Sequence, residues 1–72
     1  MKRQHIYKSY FFVNNKPIEP IYLVHRAENI KNANRNALSY ILFYYRDKNK
    51  SSNFINKLND VVKIKSKRLN NV

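Results

Sequence analysis

The chain of 72 residues contains no glycine, and this absence limits the turns that it can form. Tight turns often require a residue with positive φ, which glycine adopts without steric cost. Asn, Asp, Ser and Pro must therefore supply the turns here. The same absence excludes the glycine-rich loops that hold phosphates in P-loop proteins and in dinucleotide-binding domains.

The length of the chain sets a second limit, because 72 residues form at most one domain. A domain of this size buries only about 60% of the surface that its unfolded chain exposes, so its core must be thin. The absence of cysteine excludes disulfides, thiolate metal sites and cysteine nucleophiles. We therefore expect a single domain, 1–72, that folds by packing its hydrophobic residues, which form 43% of the chain.

The charge of the chain is strongly unbalanced, with 15 Lys and Arg residues against four acidic residues and a net charge of +11. Repulsion among these cations destabilises the compact state, and a bound polyanion relieves it. AT-rich coding sequence also favours Lys and Asn, but a lysine bias of that origin usually brings Glu with it. The charge therefore indicates a polyanion partner, with a merely solvated basic surface as the alternative.

Two short runs rich in aromatic and β-branched residues, 6–13 and 18–24, predict a β-hairpin. Asn14 and Asn15 lie between them and suit turn positions that require positive φ. Pro20 cannot donate a ladder hydrogen bond, so we expect an outward-facing edge or a bulge there.

A four-residue turn would give this hairpin one uncharged face and one mixed face, because strand side chains alternate. The uncharged face is the expected core side and carries Tyr7, Ser9, Phe11, Val13, Ile18, Pro20, Tyr22 and Val24. The mixed face carries Ile6, Lys8, Tyr10, Phe12, Glu19, Ile21, Leu23 and His25. A turn with an odd number of residues would exchange the faces of the second strand.

Residues 27–46 have apolar side chains at helical spacing and predict an amphipathic helix. The expected core stripe is Ile30, Asn34, Ala37, Leu38, Ile41 and Tyr45, with Ala33 and Leu42 at its margins. Phe43 lies on the opposite, polar side. A large ring there indicates contact with the C-terminal segment or with a protein partner.

The C-terminal third allows two interpretations. Ser51 and Ser52 are candidate N-caps, and the apolar residues after them favour a second helix within 52–65. The β-branched run at 61–65 makes a third strand the alternative, and 65–72 are expected to form a flexible basic tail. The predicted fold class is α+β, a small β-hairpin packed on one long amphipathic helix, followed by a short helix or third strand and that tail.

Three groups of residues are candidates for binding nucleic acid. The C-terminal cluster of Lys63, Lys65, Lys67 and Arg68 supplies cations that can neutralise phosphates. Lys8, Tyr10 and Phe12 alternate on one strand face, where rings can stack on bases beside a cation, although a thin domain favours burying these rings in its core. Arg26, Lys31, Arg35 and Arg46 would extend the basic track.

The segment from the hairpin through Lys31-Asn32-Ala33 to Ala37-Leu38 resembles the C-terminal half of a double-stranded-RNA-binding domain over about 40 residues. The glycine-bearing loop of that family, its paired lysines at the helix start and its preceding helix are missing here. We therefore transfer no binding residue from the family to this chain.

The sequence favours a non-catalytic protein that binds RNA or DNA and uses no cofactor or metal. Examples are a ribonucleoprotein component and an accessory DNA-binding protein of a phage, virus or plasmid. His5 and His25 are the only residues that suggest acid–base catalysis, and no carboxylate is placed to orient them. The alternative is a protein-binding module or inhibitor that docks on a nucleic-acid-processing enzyme, and a homodimer is compatible with either function. We expect a protein that is cytoplasmic, or resident wherever its nucleic acid lies, and not secreted, because no signal or membrane-spanning segment is evident.

Overall fold

The computed structural model describes residues 3–69 and has an α+β architecture, in which two helices pack on one face of an antiparallel sheet. In chain order the elements are β1 (His5–Val13), β2 (Lys16–Pro17), β3 (Leu23–Ala27), α1 (Ile30–Asp47), α2 (Ser52–Val61) and β4 (Lys63–Arg68). The predicted fold class, with a hairpin packed on one long helix, is confirmed.

The central strand of the sheet is β1, which pairs with each of the other three strands. Phe12 pairs with both Pro17 and Lys63, and Tyr7 pairs with both His25 and Arg68. A strand has only two edges, so β2 and β3 must share one edge of β1 while β4 occupies the other.

The turn between β1 and β2 contains only Asn14 and Asn15, with φ values of 53° and 64°. Positive φ at both central residues is the requirement of a type I′ hairpin turn, so the predicted role of the asparagine pair is confirmed. The expected four-residue connection is wrong, because Val13 pairs with Lys16 rather than with Ile18.

A bulge separates β2 from β3 at Pro20, as predicted. Between the pairs Phe12–Pro17 and Ser9–Leu23, β1 advances by three residues and the partner strand by six, so three extra residues are looped out. An odd number of looped-out residues reverses which side chains of the following strand face the core. The predicted faces are therefore wrong there: Leu23 and His25 lie on the core side, while Tyr22 (48% exposed) and Val24 (51%) lie on the other side.

The bulge is attached to α1 by Tyr45, whose hydroxyl donates to the backbone oxygen of Glu19 at 2.6 Å. Tyr44 donates to the Glu19 carboxylate at 3.4 Å. Burial raises the pKa of Tyr45, with further contributions from Tyr44 and Glu19. The Tyr45 phenol therefore stays protonated at neutral pH and keeps its role as a hydrogen-bond donor.

The first helix begins later than predicted. Asn29 is its N-cap and accepts from the backbone N–H of Asn32 at 2.8 Å, so 27–29 precede the helix. The predicted core stripe is largely confirmed, since Ala37 and Ile41 are fully buried. The prediction that Ile30 belongs to the core stripe is wrong, because it lies in the first turn of the helix and is exposed.

The C-terminal third contains both a helix and a strand, the two elements that its sequence allows as alternatives. Ser51 caps α2, accepting from the N–H of Phe54 at 3.1 Å, and the backbone becomes extended at Val62 before β4 begins. The predicted flexible tail is wrong for residues 65–68, because β4 pairs with β1 over six residues. Residues 70–72 of the expected tail lie outside the described residues.

The core lies between the sheet and the helices and has two apolar clusters, which consist of Phe11, Ala37, Ile41 and Leu58, and of Tyr7, Ala27 and Ala33. Between Tyr7 and Phe11, on the same face of β1, Ser9 is completely buried. Its hydroxyl lies 2.8 Å from His25 Nε2 and 2.7 Å from the Ser66 hydroxyl, which donates to Asn34 Oδ1. We call these four residues the polar seam.

Candidate nucleic-acid interface

The sheet has an inner face, which the helices cover, and an outer face, which no described element covers. Phe11 on the inner face packs with Leu58 of α2 and Ile41 of α1, so both helices lie on that side. Strand alternation places the remaining side chains on the other side. The strand residues of the outer face are Ile6, Lys8, Tyr10, Phe12, Val24, Arg26, Lys63, Lys65 and Lys67. Tyr22 joins them through its contacts with Lys8 and Tyr10.

Three exposed lysines form a row along β4. Ile64 packs against the core and Ser66 belongs to the polar seam, so the alternating residues Lys63, Lys65 and Lys67 lie on the outer face. Residues two apart in a strand are separated by about 6.6 Å. The strand fixes this spacing at the Cα atoms, so the three lysines form a row of positive charge along the sheet.

Aromatic rings lie directly beside this lysine row. In the β1–β4 register Phe12 pairs with Lys63, and Tyr10 pairs with Lys65. The Tyr10 ring centroid is 6.4 Å from that of Tyr22 in an edge-on arrangement. Within the chain Tyr10 and Phe12 are not buried in the core as expected. The C-terminal strand β4 lies beside β1 rather than across its outer face, and both residues stay partly exposed.

A lysine and the tyrosines organise the centre of the outer face. The Lys8 Nζ atom lies 4.1 Å from the Tyr22 ring centroid and 5.6 Å from that of Tyr10. A cation over an aromatic face is attracted by the ring quadrupole. Lys8 therefore holds the two tyrosines together in the free protein, with its charge on the same surface as the β4 lysines.

Two shallow depressions follow the boundary between β1 and β4. One is lined by Phe12, Asn15, Lys63, Ile64 and Lys65, and the other by Tyr10, Phe12, Lys65, Ser66 and Lys67. Each depression thus has a ring on its β1 side and lysines on its β4 side. This arrangement offers an apolar contact and a cation to the same ligand.

The remaining predicted residues divide between different surfaces. Arg26 joins the outer face opposite Ile6, but Arg68 pairs with Tyr7 and therefore lies at the edge on the inner side. The structure does not bring Lys31, Arg35 and Arg46 to the outer face, because all three are exposed on α1. Of the four residues expected to extend the basic track, only Arg26 therefore lies on the outer face.

Phe43, the predicted partner contact, is 59% exposed on α1, with the Arg46 guanidinium carbon 5.3 Å from its ring centroid. Tyr22 is the main residue of the outer face that the sequence interpretation missed. It was assigned to the core side, and only the number of residues in the bulge at Pro20 could have corrected that assignment.

The histidines lie on the inner face, away from the lysine row. His25 contacts Ser9, whose hydroxyl is enclosed in the core and cannot meet a substrate. Burial lowers the pKa of His25. Within residues 3–69, no three His, Asp or Glu side chains cluster in a way that could hold a metal ion.

Comparisons with known proteins found no relative of this chain. No protein-family model matches the chain, and no curated protein or solved structure matches it significantly. In the described part of the chain, neither helix is long and apolar enough to cross a membrane.

Proposed function

We propose that this protein is a small, non-catalytic nucleic-acid-binding protein that contacts RNA or DNA through its outer face. The observation that carries the proposal is the row of Lys63, Lys65 and Lys67 beside the rings of Phe12 and Tyr10 on an uncovered sheet face. A component of a ribonucleoprotein, or an accessory DNA-binding protein of a phage, virus or plasmid, would have this character.

The distribution of acidic residues supports an anionic ligand at this face. Strands β1, β3 and β4 contain no Asp or Glu. The four acidic residues of the chain are Glu19, Glu28, Asp47 and Asp60, which lie in the bulge, before α1, at the end of α1 and in α2. The cations of the outer face are therefore available to phosphates, and each phosphate that they neutralise releases condensed counterions.

The test compares two triple variants that remove the same charge from different surfaces. We expect replacement of Lys63, Lys65 and Lys67 by Gln to weaken binding to random oligonucleotides. The slope of log K against log salt should become shallower by about 2 for single strands, because each lost phosphate contact removes about 0.7. The control replaces Lys31, Arg35 and Arg46 by Gln and should change the slope much less. Fluorescence anisotropy across a salt series measures both.

Two results would contradict the proposal. The first is weak binding of the unmodified protein to every oligonucleotide, with no dependence on salt. The second is an equal loss of slope in both triple variants, which would mean that only the net charge matters. Circular dichroism of each variant verifies that the fold is retained.

A protein-binding module is the second candidate function, because the molecule has apolar surface away from the outer face. Phe43 is exposed on α1, and an apolar groove of about 400 Å³ is lined by Val13, Ile18, Tyr45, Phe54, Lys57, Leu58 and Val61. Aromatic anchors with charge-steered association are typical of protein interfaces. A host protein that is retained after nuclease treatment and lost on Phe43→Ala substitution would favour this function over the first.

A further inference from the structure

The rings of the outer face form a connected path across the sheet. Phe12 and Tyr10 are two residues apart on β1, which separates them by about 6.6 Å. Tyr22 precedes β3, and its ring centroid lies 6.4 Å from that of Tyr10. All three belong to the surface that carries the lysine row.

These rings distinguish between forms of nucleic acid. In a duplex the faces of the bases are stacked on one another, and only base edges and phosphates are accessible to a protein. Unpaired bases can place their faces on aromatic side chains of a sheet. Lysines alone would serve either form, so it is the aromatic path that favours a single strand.

The register between β1 and β4 pairs each ring with one lysine. Lys63 lies opposite Phe12, and Lys65 lies opposite Tyr10. Directly opposite residues have Cβ atoms about 4.5–5.5 Å apart. Each nucleotide likewise offers one base and one phosphate, so a strand that follows β4 meets a matched ring and cation at two successive positions.

We infer, on the basis of the proposed function, that the outer face binds single-stranded nucleic acid, with phosphates along Lys63, Lys65 and Lys67 and bases stacked on Phe12 and Tyr10. Tyr22 extends the stacking path toward β3. Because every base has an aromatic face, such binding tolerates any sequence and accepts RNA as well as DNA.

The first test uses the unmodified protein and separates the bases from the phosphates. Fluorescence anisotropy measures binding to a labelled thymidine 12-mer, a uridine 12-mer and an abasic 12-mer with the same number of phosphates. Stacking of two bases predicts that both base-bearing strands bind at least about 25-fold more tightly than the abasic strand, since each ring contributes a factor of about 5 or more. Equal affinity for the abasic strand would overturn the inference and leave the proposed function intact.

The second test removes the rings and keeps the lysines. We expect Tyr10→Leu and Phe12→Leu each to weaken thymidine 12-mer binding by about 5- to 150-fold, with little change for the abasic strand. Tyr10→Phe keeps a stacking surface and should retain affinity. Phe43→Leu is the matched control, because it removes an exposed ring from α1.

The possible results separate the two proposals. Unchanged thymidine binding in both leucine variants would overturn the stacking inference. Failure of the unmodified protein to bind any of these strands or a duplex of the same length would overturn the proposed function, whereas binding to the duplex alone would overturn only the inference. If circular dichroism finds the β1 variants unfolded, Tyr22→Leu replaces them, because this half-exposed residue lies outside the strand pairs. We expect it to weaken thymidine 12-mer binding as well, and no change in Tyr22→Leu would then count against the inference.

Discussion

The two faces of the sheet use the same strands for different purposes, and Phe11 and Phe12 illustrate the difference. Phe11 is completely buried against Ala37, Ile41 and other core residues. Its neighbour Phe12 lies on the outer face, opposite Lys63. Strand alternation thus allows a domain of 72 residues to keep a packed face and a charged, aromatic face on one sheet.

The inner face is not uniformly apolar, because the polar seam crosses it. The Ser66 hydroxyl donates to Asn34 Oδ1, so the Ser9 hydroxyl must donate to Ser66 and accept from His25 Nε2–H. Burial lowers the pKa of His25 and its buried Nδ1 has no hydrogen-bond partner, so the ring is neutral at neutral pH with its proton on Nε2. The seam joins β1, β3, β4 and α1 by directional bonds, which apolar contacts alone cannot supply.

The largest expected effect on stability is that of Phe11→Ala, and Phe12→Ala is its comparison on the other face. We expect Phe11→Ala to destabilise the domain by about 3–5 kcal/mol, because it leaves a cavity in the core. Phe12→Ala should cost about 1 kcal/mol or less, because its ring is partly solvated. Urea unfolding measures both, and Phe11→Leu provides a milder change if the alanine variant is unfolded. Equal losses at the two positions would contradict the distinction between the faces.

A smaller effect is expected from breaking the polar seam at its centre. Ser9→Ala leaves the His25 N–H and a Ser66 lone pair without their partner inside the core, which should cost about 1–3 kcal/mol. Ser39→Ala is the matched control on the exposed side of α1 and should change stability by about 0.5 kcal/mol or less. A Ser9→Ala variant as stable as the control would mean that the seam contributes nothing net.

Local signals were sufficient to predict several features of the fold. Asn14 and Asn15 indicated positive φ because their side chains tolerate the left-handed region better than most. Pro20 indicated a break in pairing because it lacks an N–H. The apolar spacing around Ala37 and Ile41 indicated the buried side of the helix.

The number of residues in the bulge could not be predicted from the sequence. Pro20 shows that pairing fails but not how many residues are looped out, and that number sets the faces of β3. The bulge is held by the Tyr45 hydroxyl on the Glu19 backbone oxygen, a contact across 26 positions of the chain. The missed role of Tyr22 follows directly from this long-range contact.

The sequence predicts the C-terminal lysines as candidate binding residues, but it does not predict their arrangement. Four cations within Lys63–Arg68 are typical of a solvated tail. Strand formation depends on partners, and here β1 supplies one at every position. Pairing with a distant strand converts a flexible cluster into a row with fixed spacing, which is why the single-strand inference required the structure.

The smallest expected effect is a dependence of stability on pH through His25, because one proton is involved and the ring keeps partial contact with solvent. Burial lowers the pKa of His25 below its ordinary value of 6.5, so the unfolded chain binds this proton more readily than the folded one. Its Nδ1 atom is buried without a hydrogen-bond partner, so protonation would place an unsatisfied N–H in the core. The contribution of His25 to stability is therefore complete above about pH 6.5 and is lost as the pH falls through the folded-state pKa.

The measurement is the free energy of unfolding between about pH 7.5 and pH 5 for the unmodified protein and for His25→Gln. The glutamine amide can still donate to Ser9 but does not titrate, so this variant should lose the His25 part of the slope. His5→Gln is the control, because it removes the other histidine of the inner face and leaves the seam intact. Parallel curves of unfolding free energy against pH for the unmodified protein and His25→Gln would mean that other groups cause the pH dependence. Protonation of His25 would then have no effect on stability.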